Sequence, residues 1–136
     1  MKSSREKGEI LEVISILYRS NSASSKHALN WFERYGINYK KKPISEISKK
    51  ELIHILILSD TGFEEIVKCT NKCDLSTYEK IKYMEKLTFN RAVDFLLSHV
   101  ELLRNPIIFG ERNCMVGYND VEIRRFFPKE YRHLHF

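Results

Sequence analysis

No apolar run in the 136-residue sequence approaches the roughly 18 residues that a membrane-spanning helix needs. The apolar segment Ile10 to Leu17 is too short and too interrupted for the core of a secretory signal. A cytoplasmic protein without membrane contact is therefore expected. Glycine is scarce, and five in the whole chain leave little room for a phosphate-cradling loop. Cysteine is scarcer still: Cys69, Cys73 and Cys114 are an odd number, so a disulfide framework is not expected. Two thiols four apart, Cys69 and Cys73, would share one face of a helix, but they are too few for a structural zinc site. His99, His133 and His135 lack partners at ligand spacing. The expectation is free thiols, no metal and no cofactor. Three prolines remain, and each marks a boundary: Pro43, Pro106 and Pro128.

What is present describes one soluble domain spanning residues 1–136, with 1–9 and 132–136 expected to fray because they offer little to bury. Lysine and arginine total 23 against 18 acidic residues, a net charge of +5. The excess sits in short clusters such as Lys40-Lys41-Lys42, Lys49-Lys50 and Arg124-Arg125. Clusters of that size permit contact with nucleic acid, but solvated faces of this kind are commoner.

In chain order, the β-branched run Ile10 to Tyr18 predicts a buried strand. Arg19 to Ser25 is a loop dense in helix-capping residues. It leads into a helix over Lys26 to Gly36, with apolar residues at 28, 31, 32 and 35 and a glycine to stop it. Ile37 to Lys40 alternates as a second strand closed by Pro43. Ser48 with Glu51 is a capping box opening a helix, interrupted at Asp60-Thr61-Gly62. Thr61 with Glu64 restarts a helical turn through about Lys68. Ser76 with Glu79 opens the next helix, and Thr88 caps one in which Ala92, Phe95, Leu96 and His99 share a face.

Residues 102 to 128 hold the most consistent local signals. Pro106 pushes Asn105 toward extended geometry, Ile107-Ile108-Phe109 and Cys114-Met115-Val116 predict a hairpin around Gly110 to Asn113, and Asn119 with Glu122 caps a last helix ended by Pro128. A right-handed crossover makes the first two strands parallel, and the hairpin adds an antiparallel pair. That order is the thioredoxin-like one: an α/β fold with a mixed four-stranded sheet and an inserted helical region. In such a fold the loop between first strand and first helix offers backbone N–H groups and a helix dipole to an anion or thiolate. Here it holds Ser22-Ala23-Ser24-Ser25. Serine forms no disulfide and is a poor nucleophile without a neighbouring base; His27, two residues inside the predicted helix, is the one candidate nearby. Helix capping is the expected role of these serines, and no catalytic residue is assigned.

The motifs L-L-R-N-P-I-I at 102–108, V-G-Y-N-D-V-E-I-R-R-F-F-P at 116–128 and D-T-G-F-E-E-I-V at 60–67, together with Trp31, resemble the Spx regulators of the arsenate-reductase-like (ArsC) branch of the thioredoxin fold, and the likeness runs over residues 13 to 131. The resemblance implies a non-enzymatic transcriptional regulator that binds the C-terminal domain of the RNA polymerase α subunit, touching promoter DNA weakly or indirectly and monomeric by itself. It also implies a C-x-x-C redox switch at the two positions occupied here by Ser22 and Ser25. Gly62 matches the family glycine of the polymerase contact. Ile57 stands where a basic residue is usual, Thr70 falls on the arginine of the T-R-S motif, and Asn105 falls on the second arginine before the proline. Gly62, Ile57, Ser22, Ser25 and Lys26 are the expected partner surface, with Arg104, Asn105 and Pro106 as structural neighbours of the first loop. The resemblance further implies that the Asn105-Pro106 bond is cis or tightly held beside Ser22. A diverged paralogue that binds another protein, or competes with an active Spx, is the alternative. A thiol oxidoreductase of arsenate-reductase type is the third possibility, opposed by the absence of a thiol at the helix start.

Overall fold

The computed structural model describes residues 13–128. Four strands, β1 (Ser15–Tyr18), β2 (Lys40–Pro43), β3 (Ile107–Phe109) and β4 (Cys114–Val116), form one mixed sheet in the order β2-β1-β3-β4. The first helix, α1 (Ala23–Arg34), connects β1 to its parallel neighbour β2, whereas β3 lies antiparallel to both β1 and β4. Four helices lie between β2 and β3 in the chain: α2 (Lys49–Leu58), α3 (Phe63–Ile66), α4 (Leu75–Glu85) and α5 (Phe89–Ser98). This is the expected α/β arrangement with its helical insertion.

The period-two alternation of the strands divides the core. Ile16, Ile108 and Met115 are register partners across β1, β3 and β4, and they pack on one face with Trp31 and Phe32 of α1 and with Phe126. One residue further along each strand, Leu17, Ile107 and Val116 pair across the same strands and face the inserted helices, meeting Leu52, Ile55 and Leu96. Burying both faces explains why β3 is uninterruptedly apolar. Each large aliphatic side chain so enclosed contributes about 1.5–3 kcal/mol relative to exposure.

Several boundaries differ from the expected ones for local reasons. Ser22 rather than the Lys26 region starts α1, because its hydroxyl accepts from the Ser25 N–H at 3.1 Å and draws Ala23, Ser24 and Ser25 into the first turn. The second strand lies at Lys40–Pro43, not Ile37–Lys40. Gly36, at φ 64°, closes α1 with its N–H on the Glu33 carbonyl, and the Ile37 N–H bonds back to the Phe32 carbonyl. Those two bonds assign Ile37 to the helix stop. β2 is then an edge strand of three lysines and a proline, residue types that discourage further pairing.

The cap of α4 is Asp74, whose Oδ1 accepts from the Thr77 N–H at 2.8 Å, so Ser76 falls inside the first turn. Gly62, not Thr61, precedes α3, and that turn ends at Ile66. His99 is the residue that caps the end of α5, with extended φ, and its ring stays on the expected face, 4.4 Å from that of Phe95. The final helix is a single 3₁₀ segment, Glu122–Phe126. Asn119 Oδ1 accepts from the Val121 and Glu122 N–H groups as expected of a cap, but Pro128 holds Phe127 extended and cuts the segment short. Cys69 and Cys73 lie in a turn between α3 and α4, so helical spacing does not apply to them. Ile10 to Glu12 of the first predicted strand, His133 and His135 lie outside the described residues.

Phe32 is fully buried at the junction of α1, the sheet and the last 3₁₀ segment. Phe32→Ala is expected to cost about 3–5 kcal/mol in urea denaturation. Ile57→Ala, at a residue that is 74% exposed, is expected to change stability by under about 0.5 kcal/mol.

Candidate functional site

The loop after β1 is organised by two serines and an arginine. Ser22 caps α1 through its hydroxyl, and its own N–H bonds to the Arg19 carbonyl at 3.2 Å. The Ser25 hydroxyl accepts from the Arg19 N–H at 3.1 Å and donates to Asn105 Oδ1 at 2.7 Å. Asn105 precedes Pro106, and the bond between them is cis, as expected. The polar link to this bond is made from Ser25 through Asn105. Arg19 completes the junction by donating to the Val100 carbonyl at 2.6 Å and the Leu103 carbonyl at 2.9 Å. Burial draws the guanidinium below its ordinary pKa, while Glu101 acts in the opposite sense.

This geometry gives neither serine an activating base. His27 is exposed and its ring lies 5.6 Å from that of Tyr118. Ser25 is 0% exposed, so its side chain is not part of a partner-facing surface; buried and doubly bonded, it holds the loop from within. Ser22 is half-buried and Lys26 exposed, and these two can be reached from outside.

The second region lies at the end of α2. Ser59 Oγ donates to the Leu56 carbonyl at 2.7 Å and accepts from the Gly62 N–H at 3.0 Å. Glu65 Oε1 accepts from the N–H groups of Asp60 and Thr61 at 2.8 and 3.2 Å. Between these clasps Gly62 adopts φ 76° and ψ −136°, a conformation open essentially to glycine alone. A Cβ at this position would meet no atom within 4 Å. The glycine is therefore required by the backbone rather than by internal crowding; Gly62 is half-buried, its carbonyl accepts from the Glu65 N–H at 3.0 Å, and Ile57 on α2 is exposed.

The two regions share one support. Val67 and Leu103 form an antiparallel bridge, with Lys68 N–H on the Leu102 carbonyl and Arg104 N–H on the Ile66 carbonyl, each at 2.9 Å. Segment 100–106 thus carries Arg19 and Ser25 contacts on one side and the residues following α3 on the other. Arg104, expected beside the first loop, is directed elsewhere: its Nη1 donates to the Glu65 carbonyl at 3.2 Å. Arg19 was not among the expected site residues, although a cation placed directly after an apolar strand and before a serine-rich loop is a signal for burial against carbonyls. Ser25→Ala removes the hydroxyl from Asn105 and Arg19 together, and is expected to lower stability by about 1–3 kcal/mol. Chemical denaturation measures the loss, and an unchanged midpoint would contradict it.

No group of three or more His, Cys, Asp or Glu residues among the described residues is placed to hold a metal ion, and no described helix is long and apolar enough to cross a membrane. The ArsC family model matches residues 17–126. The chain is 34% identical over 120 residues to the global transcriptional regulator Spx of Listeria innocua, covering 85% of this chain and 88% of that protein. It is 33% identical over 121 residues to global transcriptional regulator Spx 2 of Bacillus anthracis, covering 86% and 89%. In fold it is similar to a Staphylococcus aureus protein solved by NMR, with a TM-score of 0.68, 15% identity and 82% and 96% of the two chains covered. It is also similar to arsenate reductase from Vibrio cholerae, with a TM-score of 0.62, 17% identity and 85% and 96% covered. These structural likenesses agree with the thioredoxin-like sheet. With the family match running from the end of β1 to the last 3₁₀ segment, the chain belongs to the ArsC family, with Spx regulators among its relatives.

Proposed function

We propose that this protein is a non-enzymatic, intracellular regulator of transcription that docks on the C-terminal domain of the RNA polymerase α subunit and lacks the first-loop redox switch. The observation that carries the reading is the glycine-only turn at Gly62, clasped by Ser59 and Glu65, within a chain 34% identical to Spx over most of its length. With no atom within 4 Å of where a Cβ would stand, Gly62 lets a partner approach closely, while exposed Ile57 offers apolar area. Ser22, half-buried, and exposed Lys26 provide the second patch, held in position through segment 100–106.

Catalysis is disfavoured on chemical grounds. A reductase of this fold needs a nucleophile at the start of α1, and that place is taken by a capping hydroxyl and a buried, hydrogen-bonded one. Thr70 and Asn105 are neutral where the family resemblance leads one to expect arginines, and Asn105 is committed to Ser25. Both features weaken an oxyanion site and leave a protein-binding face. The reading accordingly assigns direct promoter contact a minor part.

Calorimetric titration with purified α C-terminal domain tests the proposal. Binding in the micromolar range is expected, equal in oxidising and reducing buffer as far as Ser22 and Ser25 are concerned. Ile57→Glu, which alters an exposed side chain without touching the core, is expected to weaken binding about tenfold or more, the loss of an apolar contact of about 1.4 kcal/mol. Gly62→Arg is expected to abolish binding, with thermal melting used to separate backbone strain from blocked docking. Binding unaffected by either substitution would exclude this face and favour a partner seated elsewhere.

A further inference from the structure

Two of the three thiols have no place in the reading above. Cys69 is exposed and Cys73 half-buried, and both line one cleft of about 370 Å³ together with Lys68, Lys72, Asp74, Thr77 and Arg104. They are joined by a tight turn in which the Lys72 N–H bonds to the Cys69 carbonyl at 3.2 Å. The Cys73 thiol donates to the Thr70 carbonyl at 3.6 Å, which keeps it inside the same turn. Cys114 is different in kind: it sits in β4 within the core, and burial pushes its thiol up to about 11.

From this juxtaposition we propose that Cys69 and Cys73 are an oxidant-responsive pair that closes to a reversible intramolecular disulfide when the protein meets a hydroperoxide. Cys69, the exposed thiol, attacks the peroxide as thiolate. An S–O bond forms, the O–O bond breaks, and the departing oxygen takes a proton to leave as water or alcohol. The Cys73 sulfur, as thiolate, then attacks the sulfenic sulfur of Cys69, forming S–S and breaking S–O, and hydroxide leaves and takes up a proton as water. The two thiols lose two electrons in total and the peroxide gains them. Lys68, Lys72 and Arg104 place three cations around the cleft against the single carboxylate of Asp74, which is engaged with the Thr77 N–H, so the balance is positive where negative charge develops on each departing oxygen. The pair lies directly after α3 and opposite segment 100–106, so closure would tighten the turn that follows the Gly62 face. The chemistry itself does not depend on what that face binds.

Tryptic mass mapping of the full chain, after treatment with hydrogen peroxide and without reduction, tests the assignment. Trypsin cleaves after Lys68, Lys72 and Lys80, so an internal disulfide holds peptides 69–72 and 73–80 together with the mass of two hydrogen atoms missing. That linked species is expected from a protein that remains monomeric on a non-reducing gel, reversed by dithiothreitol, with Cys114 still a free thiol. Cys73→Ser is expected to stop at a Cys69 sulfenic acid that dimedone traps. Separate peptides with both thiols free, Cys69 carried to sulfinic acid in the wild-type protein, or disulfides only between two copies of the chain would each overturn the proposal.

Discussion

The sheet is buried on both faces, and this constraint governs the remainder of the molecule. Because Ile16, Ile108 and Met115 face one way while Leu17, Ile107 and Val116 face the other, each side needs its own apolar cover. One side is covered by α1 and the last 3₁₀ segment, the other by the inserted helices. A one-residue slip in β3 would exchange Ile107 and Ile108 between faces and mismatch both covers at once. Registration of the central strands therefore fixes where β1 ends, and with it the position of Arg19, Ser22 and Ser25.

From that position the polar junction follows. Arg19 leaves the end of β1 close enough to segment 100–103 to bond two carbonyls, and Ser25 reaches Asn105. A loop that in a redox protein would present thiols is here bound by hydroxyls: Ser22 accepts from the Ser25 N–H, and Ser25 both accepts from Arg19 and donates to Asn105. Among the described residues, no buried side-chain nitrogen or oxygen is left without a partner. The loop is thus a structural joint connecting α1 to the segment that also supports the turn after α3.

Much of this was legible in the sequence where local and tertiary signals agreed. The hairpin at 107–116 was legible because Pro106, two short apolar runs and a polar turn all specify the same object. The Ser48–Glu51 capping box appears with both reciprocal bonds in place. Legibility failed where two local devices competed. Ile37 reads equally as the start of an alternating strand and as the residue after a glycine helix stop, and the helix stop prevails. Asp74 outcompetes Ser76 as a cap because a carboxylate gains more from the positive end of a helix than a hydroxyl does. Burial of Ser25 and the diversion of Arg104 to Glu65 depend on contacts 80 and 39 residues away in the chain, and no local pattern encodes them. The Gly62 position was named from family likeness alone, and its positive φ supplies the physical reason for glycine there.

In the proposed function the turn around Gly62, rather than chemistry at the first loop, meets the partner. Backbone amide chemical-shift mapping during titration with the α C-terminal domain tests that docking face. Perturbations are expected to concentrate in residues 57–68, with a weaker set at 22–26 transmitted by or adjoining the same support, and little change along β3 and β4. Perturbations confined to the face covered by α1 and the last 3₁₀ segment, with residues 57–68 unmoved at saturation, would contradict it.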